Sequence, residues 1–496
     1  MNRVANDFVD EYFNIHYEDK EIGKGGQGKV FRTKDPDIAI KLVTDAAGNP
    51  ITDAETLKTY SQRFKRVRLL PLPQQINIST PVATLRGQAG YVMNLLSQMV
   101  PLEHYWADGV SSSSISDDEI PSWLNQIPTN DAKKLVHYYK TGGLRRRLHL
   151  LYKCSALLSR LHGSGLVYGD LSPSNIFVSE DIEDYSVWLI DADNIRFEVD
   201  GGGGAVYTPK YGAPEIVQGL DGVRPSSDCY SFAIIAFYLL SLIHPFVGKA
   251  VDGTGDSDWA DQALDEDDPV ELAYSGGLPW VDDEQDDSNS SNSGLPRSLL
   301  LTETLKILFE ETLGKGRSNP SLRPVIYHWP EVLAQAADRT IKCNNCSMSY
   351  YFDFISPDSN QHNCPYCGSA RPPFIKIESY RWSSSGTPDT KACWLFVHEI
   401  SEGCSIDIPE RVLKEFSMTS SDNPELNLKF TRGAFHIHRT ESSKIDVSVA
   451  LDTPTPSKFQ QIYNQLKIDL ENSQTSLWFL AQTHEPVLLK LNVLRG

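Results

Sequence analysis

Asp170, Asn175 and Asp191 are the residues of this chain whose types and spacing describe a chemistry most clearly. The run Tyr168-Gly169-Asp170-Leu171-Ser172-Pro173-Ser174-Asn175 is followed, sixteen residues after its last member, by Asp191-Ala192-Asp193, which closes the apolar segment Val187-Trp188-Leu189-Ile190. A carboxylate, an amide five residues on and a second carboxylate at the end of a strand form the set that phosphoryl transfer from a magnesium nucleotide requires. One Asp orients the attacking hydroxyl, while the Asn and the other Asp hold the metal ions that neutralise the phosphates.

Such a set works only if other elements bring phosphates to it. Gly23-Lys24-Gly25-Gly26-Gln27-Gly28-Lys29-Val30 fits G-x-G-x-x-G-x-V. Its glycines allow a backbone to approach phosphate oxygens without an intervening Cβ. Thirteen residues after Gly28, Lys41 ends Ile38-Ala39-Ile40-Lys41. An ammonium inside an apolar strand is costly to bury unless it faces an anion. A dinucleotide-binding fold would continue from the glycine turn into a helix. Here a strand follows, which excludes that reading.

In this order the motifs resemble those of the eukaryotic-type (Hanks-type) Ser/Thr protein kinases, over about residues 17 to 336. The resemblance implies a bilobal α+β fold using ATP and Mg2+. Asp170 would be the catalytic base, with Asn175 and Asp191 as magnesium ligands and Lys41 bound to the α/β-phosphates. Glu55 would be the ion-pair partner of Lys41 on the first helix, with Gln62 as the alternative. Ile22, Gly23, Gly25, Gly28, Val30 and Ala39 would line the nucleotide, with Met93 as gatekeeper and Asn94 to Leu96 as the adenine hinge. Tyr207 to Glu215 matches the stretch ending in A-P-E, and Arg323 the late Arg that pairs with that Glu. Thr208 occupies the position that contacts the base and favours Ser/Thr acceptors.

Four positions depart from the family. Tyr168-Gly169 replaces His-Arg and removes the obvious receiver of a phosphorylated activation loop, so phosphorylation of that loop is not expected to be the on-switch. Ser172 replaces a Lys, and Asp193 replaces a Gly. Catalysis of protein phosphorylation is the leading expectation. A nucleotide-binding pseudokinase scaffold and a small-molecule phosphotransferase are the alternatives; the latter share G-D-L-x-P-x-N but lack the glycine strand pair and the A-P-E stretch.

Cys343-x2-Cys346, seventeen intervening residues and Cys364-x2-Cys367 provide four thiolates in two knuckles, a closed tetrahedral shell for structural Zn2+. His362 is a competing ligand, and Gly368 suits a tight knuckle. A kinase followed by a zinc ribbon and a β-rich tail resembles bacterial kinases encoded beside a phosphatase and a von Willebrand A-type protein in stress-response clusters. The partners this implies are a protein substrate, with that phosphatase or von Willebrand A-type protein among the possibilities.

Composition sets the outer limits. At 496 residues, with 40% hydrophobic and 22% charged residues, the chain has the make-up of a multidomain globular protein. A net charge of −19 argues against a sequence-independent grip on nucleic acid or an anionic membrane. Arg145-Arg146-Arg147 reads as a solvated helix start. The acidic first residues lack an apolar run, and the longest apolar stretch, Tyr230 to Ile243, is too short for a bilayer. A cytoplasmic location without membrane contact is expected.

The expected organisation is an N-lobe with its extension over 1–97 and a C-lobe over 98–338. Insertions fall at about 104–147 and 250–296, the second acidic and read as a mobile, solvated loop. A zinc ribbon follows over 340–372, and a β-rich domain over 374–496, for which a sandwich is one arrangement. Helical spacing marks Asp53 to Leu70, Leu148 to His162 and Ser457 to Leu470. Strand patterns mark Trp394 to Val397, Leu428 to Phe430, Ala434 to Ile437, Ile445 to Leu451, Leu477 to Leu480 and Val487 to Leu491.

Overall fold

The computed structural model describes residues 7–494 except 26–27, 46, 107–113, 199–205, 252–267, 357–360, 383–386, 419–423, 441–442, 444, 452–458, 463–464, 470–476 and 484. The chain divides into two compact units. The first comprises Met1–Trp106, Lys153–Gly294 and Ile307–Tyr327; the second comprises Ala107–Tyr152, Leu295–Lys306 and His328–Gly496. Residues 107–152 and 295–306 group with the C-terminal region.

The first unit opens with an antiparallel sheet of β1 (Asp7–Val9), β2 (Ile15–Gly25), β3 (Gly28–Thr33), β4 (Ile38–Val43), β5 (Ala83–Thr84) and β6 (Gly90–Asn94), in the order β1-β2-β3-β4-β6-β5. Alternation along β4 sorts its side chains. Ile40 and Leu42 join Phe8, Phe31 and Val92 in one core cluster, while Ala39 and Val43 join Phe64, Tyr91 and Met93 in another. Lys41 has the parity of Ala39 and Val43, so it projects to the face covered by Phe64. Its register neighbours are Val30 on β3 and Tyr91 on β6.

Phe64 belongs to helix α1 (Ala54–Arg68). Asp53 caps this helix, its carboxylate accepting the Thr56 N–H at 2.8 Å. The buried stripe is Phe64 and Val67, and the last turn is basic.

The catalytic-type loop lies between two short ladders. Leu166–Val167 pairs with Arg196–Phe197, and Ile176–Ser179 pairs with both Val187–Leu189 and Met99–Pro101. Asp170 to Asn175 is thus held at one end by a strand that pairs with the segment after Asp191, and at the other by a strand that pairs with the segment before it. The helix Pro225–Ser241 is buried nearly all round, as its continuous apolar run requires in a core. No helix among the described residues is long and apolar enough to cross a membrane.

Residues 252–267 of the acidic insertion lie outside the described residues, but the rest of it is anchored to the core at Trp280 and Asn289. Trp280 is fully buried edge-on against Phe237, with ring centroids 5.5 Å apart, and its Nε1 donates to Glu310 Oε2 at 3.1 Å. Asn289, inside the Ser/Asn-rich run, is buried and donates to the carbonyls of Phe246 and Pro279 at 2.9 and 2.8 Å. A buried amide with both N–H groups satisfied anchors a loop that polar composition alone describes as free.

In the second unit, Arg145-Arg146-Arg147 is also not solvated. Arg145 forms a two-pronged pair with Glu399 at 3.0 and 2.7 Å. Arg147 is fully buried over the Tyr138 ring at 3.9 Å and donates to the carbonyls of Tyr138 and Gly143. The helix Thr129–Lys140, with Ile115 and Leu124, forms a small core in the described part of the first insertion.

The region after Phe374 is sheet-rich. Its six-stranded sheet runs Trp394–Glu399, Phe374–Arg381, Val487–Leu494, Leu477–Gln482, Asp446–Leu451, Gln460–Gln461; a second sheet runs Ser405–Ile408, Leu426–Thr431, Ala434–Arg439, Gln465–Asp469. The helix expected between Ser457 and Leu470 is replaced by strands at Gln460–Gln461 and Gln465–Asp469. Leu466 and Ile468 alternate with Gln465, Lys467 and Asp469, and pairing with Ala434–Arg439 satisfies the backbone that a helix would have satisfied internally.

Candidate active site

Asp170 is buried, and burial pushes its carboxyl above the ordinary range; the nearby acids Asp191 and Asp193 act in the same direction, against a hydrogen bond from Thr208. Thr208 Oγ1 donates to Asp170 Oδ1 at 2.8 Å, and Asn194 Nδ2 donates to Oδ2 at 3.3 Å. Both oxygens are therefore oriented. Asn175 Nδ2 donates to the Asp170 carbonyl at 2.9 Å, leaving its Oδ1 as the end that can accept or ligate. The Ile190 N–H donates to the Asn175 carbonyl at 3.0 Å, which sets Asn175 beside the segment carrying Asp191.

The loop is anchored from below by Asp228, at the start of the Pro225–Ser241 helix. Its carboxylate accepts the backbone N–H of Tyr168 at 2.8 Å and of Gly169 at 2.9 Å, and lies 2.9 Å from His162 Nε2. Tyr168, in place of the family's His, is buried, and its hydroxyl donates to the Ile190 carbonyl. Gly169 has φ +86°, a left-handed conformation that the family's Arg would adopt only with strain. Asp191 itself takes φ 54°, ψ 44°, uncommon for a residue with a side chain.

Lys41 Nζ lies 2.8 Å from Asp191 Oδ1 and 3.5 Å from Asp193 Oδ1. Burial works against its charge, but Asp191 and Asp193 outweigh burial and hold the ammonium above its ordinary pKa. Neither Lys41 Nζ nor Asp193 Oδ1 makes a hydrogen bond of good angular geometry. A buried cation with donors to spare, next to an oriented amide oxygen and two carboxylates, fits a nucleotide phosphate and its metal.

Glu55 is not the partner of Lys41. It lies exposed in the first turn of α1, and Gln62 is exposed as well. The helix instead presents Arg63, whose Nε donates to the Asp193 carbonyl at 2.9 Å and whose NH2 lies 3.1 Å from Asp193 Oδ2. Arg63 also donates to Asn194 Oδ1. The sequence carried no signal for Arg63, which is one of four basic residues between 63 and 68 with no distinguishing neighbour.

Among the nucleotide-lining candidates, Gly25 pairs with Gly28 in register across the turn, whose tip, Gly26 and Gln27, lies outside the described residues. A Cβ on Gly28 would come within 2.2 Å of the Leu42 carbonyl oxygen, so only glycine fits there. Gly23 and Val30 are register partners, and Ile22 is exposed beside them. Ala39 and Met93 are buried register partners on β4 and β6, and the chain leaves β6 at exposed Asn94 toward half-buried Leu96.

Glu215 and Arg323 form a buried two-pronged pair, at 2.6 Å (Oε1) and 2.8 Å (Oε2). Arg323 further donates to the Gly316 carbonyl at 2.7 Å and covers the Tyr230 ring at 4.6 Å.

In the second unit, the sulfurs of Cys343, Cys346, Cys364 and Cys367 all lie within 4.8 Å of one another. Two knuckles build this group in parallel. Cys343 N–H donates to the Met348 carbonyl and Cys364 N–H to that of Ser369, while Ser347 and Gly368 take φ 61° and 69° after the second cysteine of each pair. Ser347 accepts a conformation for which glycine was the expected residue. The closest sulfur contacts, 3.6 and 3.7 Å, are far beyond a disulfide bond and near the roughly 3.8 Å edge of a tetrahedral zinc–thiolate shell. His362 is not part of the group; its Nδ1 lies 2.9 Å from the Phe354 carbonyl.

Residues 105–293 match the protein kinase domain model, a stretch that contains Asp170, Asn175 and Asp191. Over 253 residues the chain is 25% identical to the serine/threonine-protein kinase PknD of Chlamydia abortus, covering 47% of this chain and 25% of that protein. It is 33% identical over 110 residues to the serine/threonine-protein kinase pkn2 of Myxococcus xanthus, covering 21% and 13%. It is 34% identical over 105 residues to ribosomal protein S6 kinase alpha-2 of Mus musculus, covering 20% and 13%. The chain spans about a quarter or less of the length of these relatives. Residues 105–293 are therefore similar to the kinase domains of serine/threonine-protein kinases.

Proposed function

We propose that the chain is a Mg-ATP-dependent kinase that phosphorylates Ser or Thr of a protein partner. The observation that carries this reading is the oriented Asp170, with Thr208 on one oxygen and Asn194 on the other. Bound Mg-ATP would supply the γ-phosphoryl group, and magnesium would neutralise its charge. Asp170 accepts the proton of the acceptor hydroxyl as that oxygen bonds to the γ-phosphorus and the bond to the β-phosphate oxygen breaks. Asn175 Oδ1 and Asp191 would hold the metal, and Lys41 would bind the α/β-phosphates. The backbone at Gly23, Gly25 and Gly28 would cover the phosphates, while Ile22, Val30, Ala39, Met93, Asn94 and Leu96 would enclose the adenine.

The four cysteines would hold one structural Zn2+, the two sheets after Phe374 would form a sandwich, and this region would recruit the protein partner. Asp338 bears on how that is tested. It accepts from Arg411 at 2.8 and 2.6 Å and from Trp394 Nε1 at 2.9 Å. A truncation after Asp338 would leave a buried carboxylate unpaired, so point substitutions are the better probe of recruitment.

A pseudokinase is the second reading, supported by the hold of Asp193 on Lys41. Labelled ATP with a generic protein acceptor separates the two. Transfer abolished by Asp170→Ala and Lys41→Met supports a kinase; thermal stabilisation by Mg-ATP without any transfer supports the scaffold. Phosphorylation of metabolites with no protein acceptor would point to a small-molecule phosphotransferase.

A further inference from the structure

The charges around Lys41 include two cations, Lys41 and Arg63, and two anions, Asp191 and Asp193, that join α1 to both halves of the site. Asp193 divides its oxygens, Oδ1 at 3.5 Å from Lys41 and Oδ2 at 3.1 Å from Arg63. Its side chain is only 4% exposed. Arg63 reaches on to Asn194 Oδ1, and Asn194 Nδ2 reaches Asp170 Oδ2 at 3.3 Å. From one side chain on α1, a path of direct contacts runs to the phosphate lysine and another runs to the base.

We propose that Arg63 and Asp193 are paired positioning residues, taking the place of an acid on the first helix: Asp193 supplies the negative charge that holds Lys41, and Arg63 supplies the counter-charge that lets Asp193 release it. The inference rests on the kinase reading above, where Lys41 and Asp191 must turn toward phosphate and metal. A buried carboxylate left without a partner at that moment is costly. With Arg63 present, Asp193 keeps a partner throughout. Without it, Asp193 competes with the nucleotide for Lys41, and Asn194 loses the contact that aims its amide at Asp170. The inverted arrangement explains how a chain whose α1 acid, Glu55, is exposed can still order its lysine. It also gives Asp193, where the family has glycine, a role beyond departure from pattern.

The test compares wild type, Arg63→Gln, Arg63→Lys, Asp193→Asn and the Arg63→Gln/Asp193→Asn double variant of the full chain. Mg-ATP affinity, kcat and the acid limb of the pH–rate profile are measured for each. Arg63→Gln should bind Mg-ATP about tenfold more weakly and lose about tenfold in kcat, with its acid limb moved to higher pH because Asp170 has lost an oriented donor. Arg63→Lys should recover part of both losses. The double variant should be no worse than the poorer single one, since both remove the same link. Wild-type affinity and kcat in Arg63→Gln, or losses that multiply in the double variant, would overturn the proposal. If Arg63→Gln does not fold, Asp193→Asn decides alone: wild-type behaviour overturns the proposal, and a tenfold loss sustains it. If wild type transfers no phosphate, the kinase reading fails, and the affinity comparison still decides the pairing.

Discussion

Thr208 Oγ1 donates to Asp170 Oδ1 at 2.8 Å, so a hydroxyl from the segment before Ala213-Pro214-Glu215 holds one oxygen of the proposed base. That bond favours the charged carboxylate, against the burial that raises the Asp170 pKa. Thr208→Val should move the acid limb of kcat to higher pH and lower kcat about tenfold at neutral pH. Thr208→Ser should keep both near wild type. Rate profiles between pH 5 and 9 check this, and an unmoved limb in Thr208→Val would remove Thr208 from the site.

Glu215 and Arg323 concern stability rather than chemistry. Arg323→Ala leaves Glu215 facing a buried gap and also frees the Gly316 carbonyl. Removing one partner of a buried pair typically costs about 3–5 kcal/mol. Arg323→Lys should recover little, because an ammonium cannot supply the fork. Denaturant unfolding of the three proteins measures the difference.

His244 makes the first unit sensitive to mild acid. Burial lowers its pKa to about 4, outweighing the bond from its Nε2 to the Lys210 carbonyl, which works the other way; its Nδ1 accepts the Phe246 N–H, which only the neutral ring can do. Above its ordinary pKa of 6.5 both folded and unfolded forms are neutral, and stability is fully present. As pH falls toward 4, only the unfolded form takes the proton, and stability declines by a total on the order of 3 kcal/mol. Thermal midpoints from pH 7.5 to 4.5 should fall accordingly, and His244→Gln should flatten the curve in that window.

Removal of the expected zinc should unfold the cysteine module, because four close thiols lose their common ligand. One Zn2+ per chain is the expected stoichiometry in native mass spectrometry. Chelation or Cys346→Ser should lower the thermal midpoint of the second unit by about 10 °C or more. Metal-free protein with an unchanged midpoint would assign the cysteines to another role.

The parts of the site that depend on short sequence separation were legible. Asp170 to Asn175 lie within one loop, Gly23 to Lys41 lie on three consecutive strands, and each cysteine pair is its own turn. What was hidden depends on distant pairing. Arg63 meets Asp193 across 130 residues, and no local pattern marks either as a partner. The same limit explains Arg145 and Arg147, which look solvated by composition yet pair with groups that only the fold supplies. Trp280 and Asn289 show it too: a Ser/Asn-rich run reads as free until its amide is found to be caged. Between Gln460 and Asp469, apolar spacing suits a helix or a strand, and the neighbouring strand decides.

The most direct measurement is mass spectrometry of an added protein acceptor and of the chain itself after incubation with Mg-ATP, for wild type and Asp170→Asn. The account predicts phosphate on Ser or Thr with wild type and none with Asp170→Asn, while both bind nucleotide. Equal phosphorylation by the two proteins, or none by either with nucleotide bound, would contradict it.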